Sequence, residues 1–144
     1  MHVKDCFPLK IESVAFGGDG VGRKDGLVVF VPFTAAGDVV EVEIRERKKS
    51  FARGRLVRIL SPSPERTEPL CPHFGVCGGC AYQHIRYEHQ LAMKRRQVED
   101  AFIKIGKIPR PPVEDVIGSP RMFAYRGKAT LHEVQTAKGR KLGF

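Results

Sequence analysis

Cys71, Cys77 and Cys80 are the residues of this sequence whose type and spacing best suit chemistry. They stand in the run Cys71-Pro72-His73-Phe74-Gly75-Val76-Cys77-Gly78-Gly79-Cys80, a C-x5-C-x2-C pattern that takes three of the chain's four cysteines. Thiolates are the ligands of structural zinc and of iron–sulfur clusters, and paired glycines let the backbone bend tightly around whatever the sulfurs hold. Burial of purely structural cysteines gives no reason to bunch them around Gly78-Gly79. The N-terminal residues lack the apolar core of a secretory signal, and thiols kept reduced inside a cell argue against a disulfide. The pattern points to a metal or cluster site.

Three thiolates are one short of the four protein ligands that both structural zinc and a cubane cluster normally take. Cys6, His73 and His84 are the candidates within the chain, and a residue beyond Phe144 or on a partner is the alternative. Spacing alone leaves the metal open. Zinc sites usually pair two short-spaced halves, and the absence of a second half favours an iron–sulfur cluster.

A second group of residues suits binding. From Arg45 to Arg58, seven cations (Arg45, Arg47, Lys48, Lys49, Arg53, Arg55 and Arg58) accompany a single acid, Glu46, and an aromatic, Phe51. Cations that meet phosphates beside a ring that stacks on a base are what a nucleic-acid surface requires, so Arg45, Arg47, Lys48, Lys49, Phe51, Arg53 and Arg55 are candidate RNA contacts. A solvated hairpin tip would show the same composition. The glycine-rich Gly17-Gly18-Asp19-Gly20-Val21-Gly22 is followed neither by a Lys-Ser/Thr pair nor by a helix, so it reads as a hairpin turn and not a phosphate loop.

The elements that must position these residues can be read from periodicity. Leu9, Ile11, Val14 and Phe16, then Leu27–Val31, then Val40, Val42 and Ile44 alternating with charged residues, then Leu56–Leu60, predict four or five short antiparallel strands. The expected fold is therefore mostly β, a small OB-like barrel over residues 1–61. Ser61-Pro62-Ser63-Pro64 ends the last strand and predicts an extended linker into the cysteine segment, residues 62–86. Leu91, Val98, Ala101, Phe102 and Ile105 recur at threes and fours, predicting one helix over 87–106 closed by Gly106. Residues 107–144 carry Tyr125–His132, which alternates like a strand, and a further strand near Leu142. They read as the opening strands of an α+β domain that continues past this sequence. The chain has 144 residues and a net charge of +9, spread over both halves, which fits a polyanionic partner. No apolar run approaches the roughly 20 residues of a membrane span, and a cytoplasmic location without membrane association is expected.

These residues carry a family resemblance. The run CPHFGVCGGCAYQHIRYEHQLAMKRRQVEDAF, preceded by SPSPERTEPL and followed by YRGKATLH, resembles the N-terminal part of RNA (uracil-5-)-methyltransferases of the ribosomal-RNA type. FGGDGVGRKDGLVVFVPFTAAGDVVEVEI is similar to that family's TRAM domain. The resemblance implies a [4Fe-4S] cluster on Cys71, Cys77 and Cys80, with a fourth cysteine lying downstream. It implies RNA as partner, ribosomal or transfer, and S-adenosylmethionine as methyl donor in the full-length parent. In the family a cysteine thiolate adds to uracil C6 and a carboxylate removes the C5 proton from a base turned out of the RNA. Those groups belong to a downstream domain, so none of these residues is a catalytic candidate. The competing expectation is a free-standing zinc-containing RNA-binding module without an enzymatic parent.

Overall fold

The computed structural model describes residues 6–137 and 139–143. Five strands, β1 (Cys6–Val14), β2 (Gly20–Lys24), β3 (Leu27–Val31), β4 (Val39–Arg47) and β5 (Phe51–Ser61), close a barrel in the order β1-β2-β3-β5-β4. All neighbours run antiparallel except β3 and β5, which pair in parallel through Val28–Phe51, Val29–Ala52 and Phe30–Arg53. This is the OB-like, mostly β architecture that the alternating residues predict. Leu9, Ile11, Val29, Val31, Val40, Val42 and Ala52 fill the barrel interior. Full burial of such an aliphatic side chain is worth about 1.5–3 kcal/mol.

The Gly17–Gly18 segment is a turn between β1 and β2, as expected. Gly17 and Gly18 take φ of +100° and +107°. Phe16, grouped with the first strand on sequence, lies outside it and is 91% exposed. The alternation that includes Phe16 breaks because the chain turns after Val14.

Ser61–Pro64 does end β5, yet the segment after it is fastened to the barrel and does not run free as an extended linker. Asp38, fully buried, accepts from the backbone N–H groups of Ala35 (2.7 Å) and Ser63 (2.8 Å) and from Arg66 Nη1 (2.7 Å). Arg66 also donates to the Phe33 carbonyl, and its backbone bridges to Ile85. Ile85 is buried with Val14 and Ala35 in a second small core, against which Tyr82 and Met93 pack.

Helix α1 (Tyr87–Lys104) comes next, within a residue or two of its predicted span. Its expected core face is not buried: Val98, Phe102 and Ile105 are 47%, 45% and 82% exposed. The helix meets the barrel instead through Met93 and through Gln97 Nε2, which donates to the Val14 carbonyl at 3.1 Å. Gly106 stops it without entering the left-handed region; the residue there is Lys107, at φ +57°. What excludes a side chain at Gly106 is the Phe102 carbonyl oxygen, 2.8 Å from where a Cβ would sit.

Residues 105–131 are irregular, and a two-stranded hairpin, β6 (His132–Thr136) with β7 (Gly139–Gly143), comes last. The predicted strand over Tyr125–His132 is thereby corrected. Its alternation finds no neighbouring strand among the described residues, and an extended segment without a ladder partner leaves its backbone groups to water. Pairing starts only at His132, where Gly143 lies opposite.

Candidate nucleic-acid interface and cysteine loop

The basic segment straddles the β4–β5 connection. Residues 48–50 make the turn, and Arg53 and Arg55 lie on β5 opposite Glu46 and Glu43. This register brings the cations to acids that the linear run does not show. Glu43, 3% exposed, receives Arg55 Nε (3.0 Å) and Nη2 (2.7 Å) from across the ladder and Arg45 Nη2 (3.1 Å) from two residues along. Lys48 pairs with Glu46 at 2.7 Å and holds its carboxyl below the usual carboxylate range. Arg53 reaches Asp19 of the β1–β2 turn at 3.4 Å, and Arg58 reaches Glu41 at 2.8 Å. Arg47 and Lys49 have no ion pair among the described residues.

These cations fall into two kinds. Arg45 and Arg55 serve a buried carboxylate, and removing either weakens the compensation of that charge. Lys48 and Arg53 sit in exposed pairs, which contribute little to stability and exchange partners readily. Phe51 does not splay outward: it is half-buried and packs edge to face on Phe30, ring centroids 5.8 Å apart.

The cysteine loop is closed by its own backbone. Phe74 N–H donates to the Cys71 carbonyl (3.1 Å), the N–H groups of Val76 and Cys77 donate to that of His73 (3.1 and 2.9 Å), and Gly75 turns the chain at φ +86°. Gln83 spans the loop: its Oε1 accepts from the Cys71 N–H and its Nε2 donates to Cys80 Sγ, both at 3.1 Å. Cys77 Sγ accepts from the Gly79 N–H at 3.3 Å. Sulfurs that already accept N–H groups are the environment in which a thiolate ligand is stabilised and a cluster tuned.

Among the described residues no group of three or more His, Cys, Asp or Glu side chains converges to hold a metal ion, and all four cysteines are free. Cys71, Cys77 and Cys80 are donors of the type that clusters take, on one loop, without converging on a common point. Of the in-chain candidates for the fourth ligand, His84 is packed into the barrel side of the loop. It is 2% exposed, its Nε2 donates to the Thr34 carbonyl at 3.1 Å, and its ring lies 5.4 Å from that of Phe74. Among the described residues its buried Nδ1 has no hydrogen-bond partner, and burial pushes its pKa down. Cys6 is exposed at the start of β1, and His73 is exposed within the loop.

Phe74, between Phe33 (5.5 Å) and His84, seats the loop on the barrel. Tyr82 does the same from its other end, its Oη accepting from the Gly17 N–H at 3.2 Å. A side chain at Gly18 would come within 2.8 Å of the Ala81 Cβ. Asp38, Arg66, Tyr82 and His84 fasten the cysteine loop to the barrel through contacts that the sequence does not show. Their partners lie between 28 and 65 residues away.

Residues 5–57 match the TRAM domain family. An RNA methyltransferase of Porphyromonas gingivalis, named as uncharacterized, is 44% identical over 83% of this chain and 26% of its own length. The 23S rRNA (uracil(1939)-C(5))-methyltransferase RlmD of Bordetella avium is 41% identical over 94% of the chain and 29% of its own length. The crystal structure of Pyrococcus abyssi tRNA (uracil-54, C5)-methyltransferase, in complex with S-adenosyl-L-homocysteine, superposes with a TM-score of 0.56 at 26% identity, over 94% of this chain and 28% of that one. The chain thus spans between a quarter and a third of the length of these relatives. Residues 5–57 thus match the TRAM domain, and the chain as a whole is similar to a part of RNA methyltransferases that include uracil-C5 enzymes named for 23S rRNA and tRNA.

Proposed function

We propose that this chain is the RNA-binding part of an S-adenosylmethionine-dependent RNA uridine-C5 methyltransferase acting on ribosomal or transfer RNA in the cytoplasm. Methyl transfer itself belongs to residues outside this sequence. The division into a barrel (1–61), a cysteine segment (62–86), a helix (87–106) and the start of a further domain (107–144) goes with that reading. The observation that carries it is the identity of 41–44% to RNA methyltransferases over 83–94% of the chain. The basic β4–β5 hairpin on an OB-like barrel supports it, because that scaffold binds oligonucleotides through its connecting loops. None of the described helices is long and apolar enough to cross a membrane.

Within the hairpin the roles divide. Arg47 and Lys49 are the free phosphate donors, Lys48 and Arg53 join them by giving up exposed pairs, and Arg45 and Arg55 hold Glu43. Phe51, paired with Phe30, presents a half-buried aromatic edge to a base. Cys71, Cys77 and Cys80 would hold a [4Fe-4S] cluster, with Gln83 and the Gly79 N–H as hydrogen-bond donors to its sulfur ligands. When bound, that cluster supplies a covalent cross-link of the loop and a redox-active centre.

The test is RNA affinity of the full chain as a function of salt, because each neutralised phosphate on a single strand contributes about 0.7 to the log–log slope. The double variant Arg47→Ala/Lys49→Ala should lower that slope by about 1.4, two contacts at about 0.7 each. An unchanged slope removes the hairpin from the interface.

A further inference from the structure

We propose a site for one unpaired nucleotide in the cleft between the β1–β2 turn and α1. In it the base stacks on Phe16, and Lys94 and Arg96 receive the flanking phosphates. This rests on the chain being an RNA binder and places a second contact surface beyond the β4–β5 hairpin.

Phe16 is 91% exposed, yet the loop that carries it is pinned on every side. Ala15 N–H donates to the Asp19 carbonyl at 2.8 Å, Gly17 N–H donates to Tyr82 Oη at 3.2 Å, and Asp19 pairs with Arg53 at 3.4 Å. The turn is packed against Ala81 at Gly18. A ring held out in water by a fixed backbone is preorganised for stacking, because little freedom remains to be lost on binding.

Phe16 stands where two clefts meet. One, of about 690 Å³, runs along α1 past Tyr82, Val98 and Phe102, with Lys94 on its wall. The other, of about 600 Å³, crosses the barrel past Arg23 and Phe30, with Arg96 on its wall. Either volume accommodates a nucleoside. Strands 2 and 3 and the loops after strands 1 and 4 form the oligonucleotide face of an OB barrel. Here Arg53, near the start of β5 just past the β4–β5 turn, pairs with Asp19 of the β1–β2 turn and so ties the hairpin strand to the loop that carries Phe16.

Charge selects RNA over an apolar protein segment. The acids along the second cleft are Glu12 and Asp100, matched by Arg23 and Lys104, and Glu65, which faces His89 at 3.7 Å and offsets one positive charge. Lys94 and Arg96 carry no ion pair among the described residues. The unmatched charge of the two clefts is therefore positive, on either side of an exposed aromatic ring.

The experiment uses the full 144-residue chain and single-stranded oligoribonucleotides carrying 2-aminopurine, whose fluorescence is quenched by stacking. The expected result is quenching on binding, lost in Phe16→Ala together with about tenfold in affinity, and retained in Phe16→Tyr. Lys94→Gln/Arg96→Gln should leave the quenching and lower the salt slope by about 1.4. Phe16 is exposed, so an unchanged thermal midpoint confirms that the variants fold. Wild-type quenching and affinity in Phe16→Ala overturn the proposal. So does a concentration-dependent dimer that Phe16→Ala dissolves, which gives the cleft to a second copy of the chain. Loss at Phe16 with normal binding by Arg47→Ala/Lys49→Ala upholds this site and removes the hairpin alone, whereas no RNA binding by the unaltered chain overturns both.

Discussion

His84 is buried in its neutral form, and the geometry says why. Nε2–H already serves the Thr34 carbonyl, so a second proton would go to Nδ1, which has no acceptor among the described residues. Burial is the largest cause of its lowered pKa, and the Arg66 guanidinium acts in the same direction. The Thr34 hydrogen bond and the Asp38 carboxylate oppose it. A base whose pKa is lower folded than unfolded binds more protons when unfolded, so stability rises with pH across the interval between the two values. The contribution is complete above the unfolded value of about 6.5 and is lost as pH falls from there toward the folded one. Urea midpoints measured between pH 7.5 and 5 should therefore decline, and His84→Gln, which cannot take up a proton, should flatten that decline. An equal decline in the variant assigns the pH dependence to other groups. The same contacts give this histidine, four residues after Cys80, a packing role: its ring is the floor on which Phe74 seats the cysteine loop.

At the scale of elements, the β4–β5 ladder sorts the basic run into structural and available cations. Arg55→Ala removes two hydrogen bonds from a carboxylate that is 3% exposed. Because the Arg55 side chain is itself more than half exposed, the cost is about 1 kcal/mol. It should show as a lower urea midpoint at constant m, with a salt slope for RNA close to that of the unaltered chain. Arg47→Ala/Lys49→Ala should show the reverse, an unchanged midpoint and a shallower slope. If Arg55→Ala instead lowers the slope and leaves stability intact, the division between the two kinds of cation fails. This sorting could not be read from the run itself. Arg45 to Arg58 holds one acid, whereas Glu43 and Asp19 arrive through strand register and through the closure of the barrel on itself. The legible part of the fold came from period: Leu9, Ile11, Val40 and Val42 alternate because one face of each strand is buried, and α1 declares itself through threes and fours. Period misleads where no partner exists. Of the predicted strand Tyr125–His132, the part before His132 meets no strand among the described residues, and Val98, Phe102 and Ile105 stay exposed along one side of the helix end. In the candidate site the cysteine spacing was legible, because ligands on one short loop are local. Gln83, Tyr82 and Phe16 were not, because their roles come from contacts between segments.

Across the whole molecule the cysteine loop is not a separate module. Phe74 is wedged between Phe33 and His84, Tyr82 holds the β1–β2 turn, and Arg66 locks the approach to the loop onto the buried Asp38. Whatever orders the loop is therefore felt at the barrel and at Phe16. Three thiols on one loop that do not converge, with no group of three or more donors brought together among the described residues, predict weak loading of this chain alone. Anaerobic purification with iron, sulfide and zinc quantitation should find little cluster in the 144-residue chain. A longer chain that adds a downstream cysteine should hold about four irons, the content of a cubane cluster. Cys80→Ser in that longer chain should lose them. Because a ligand that binds only the folded state stabilises it, loading should also raise the thermal midpoint of the barrel and not merely protect the loop. Stoichiometric zinc in the short chain, without iron, would instead make this a zinc-bound RNA-binding module. The coupling has its own readout: with Tyr82 and Gly17 in contact, cluster loading should slow amide exchange at residues 15–19. Exchange there that ignores the metal would mean the loop and the barrel, though touching, fold as independent parts.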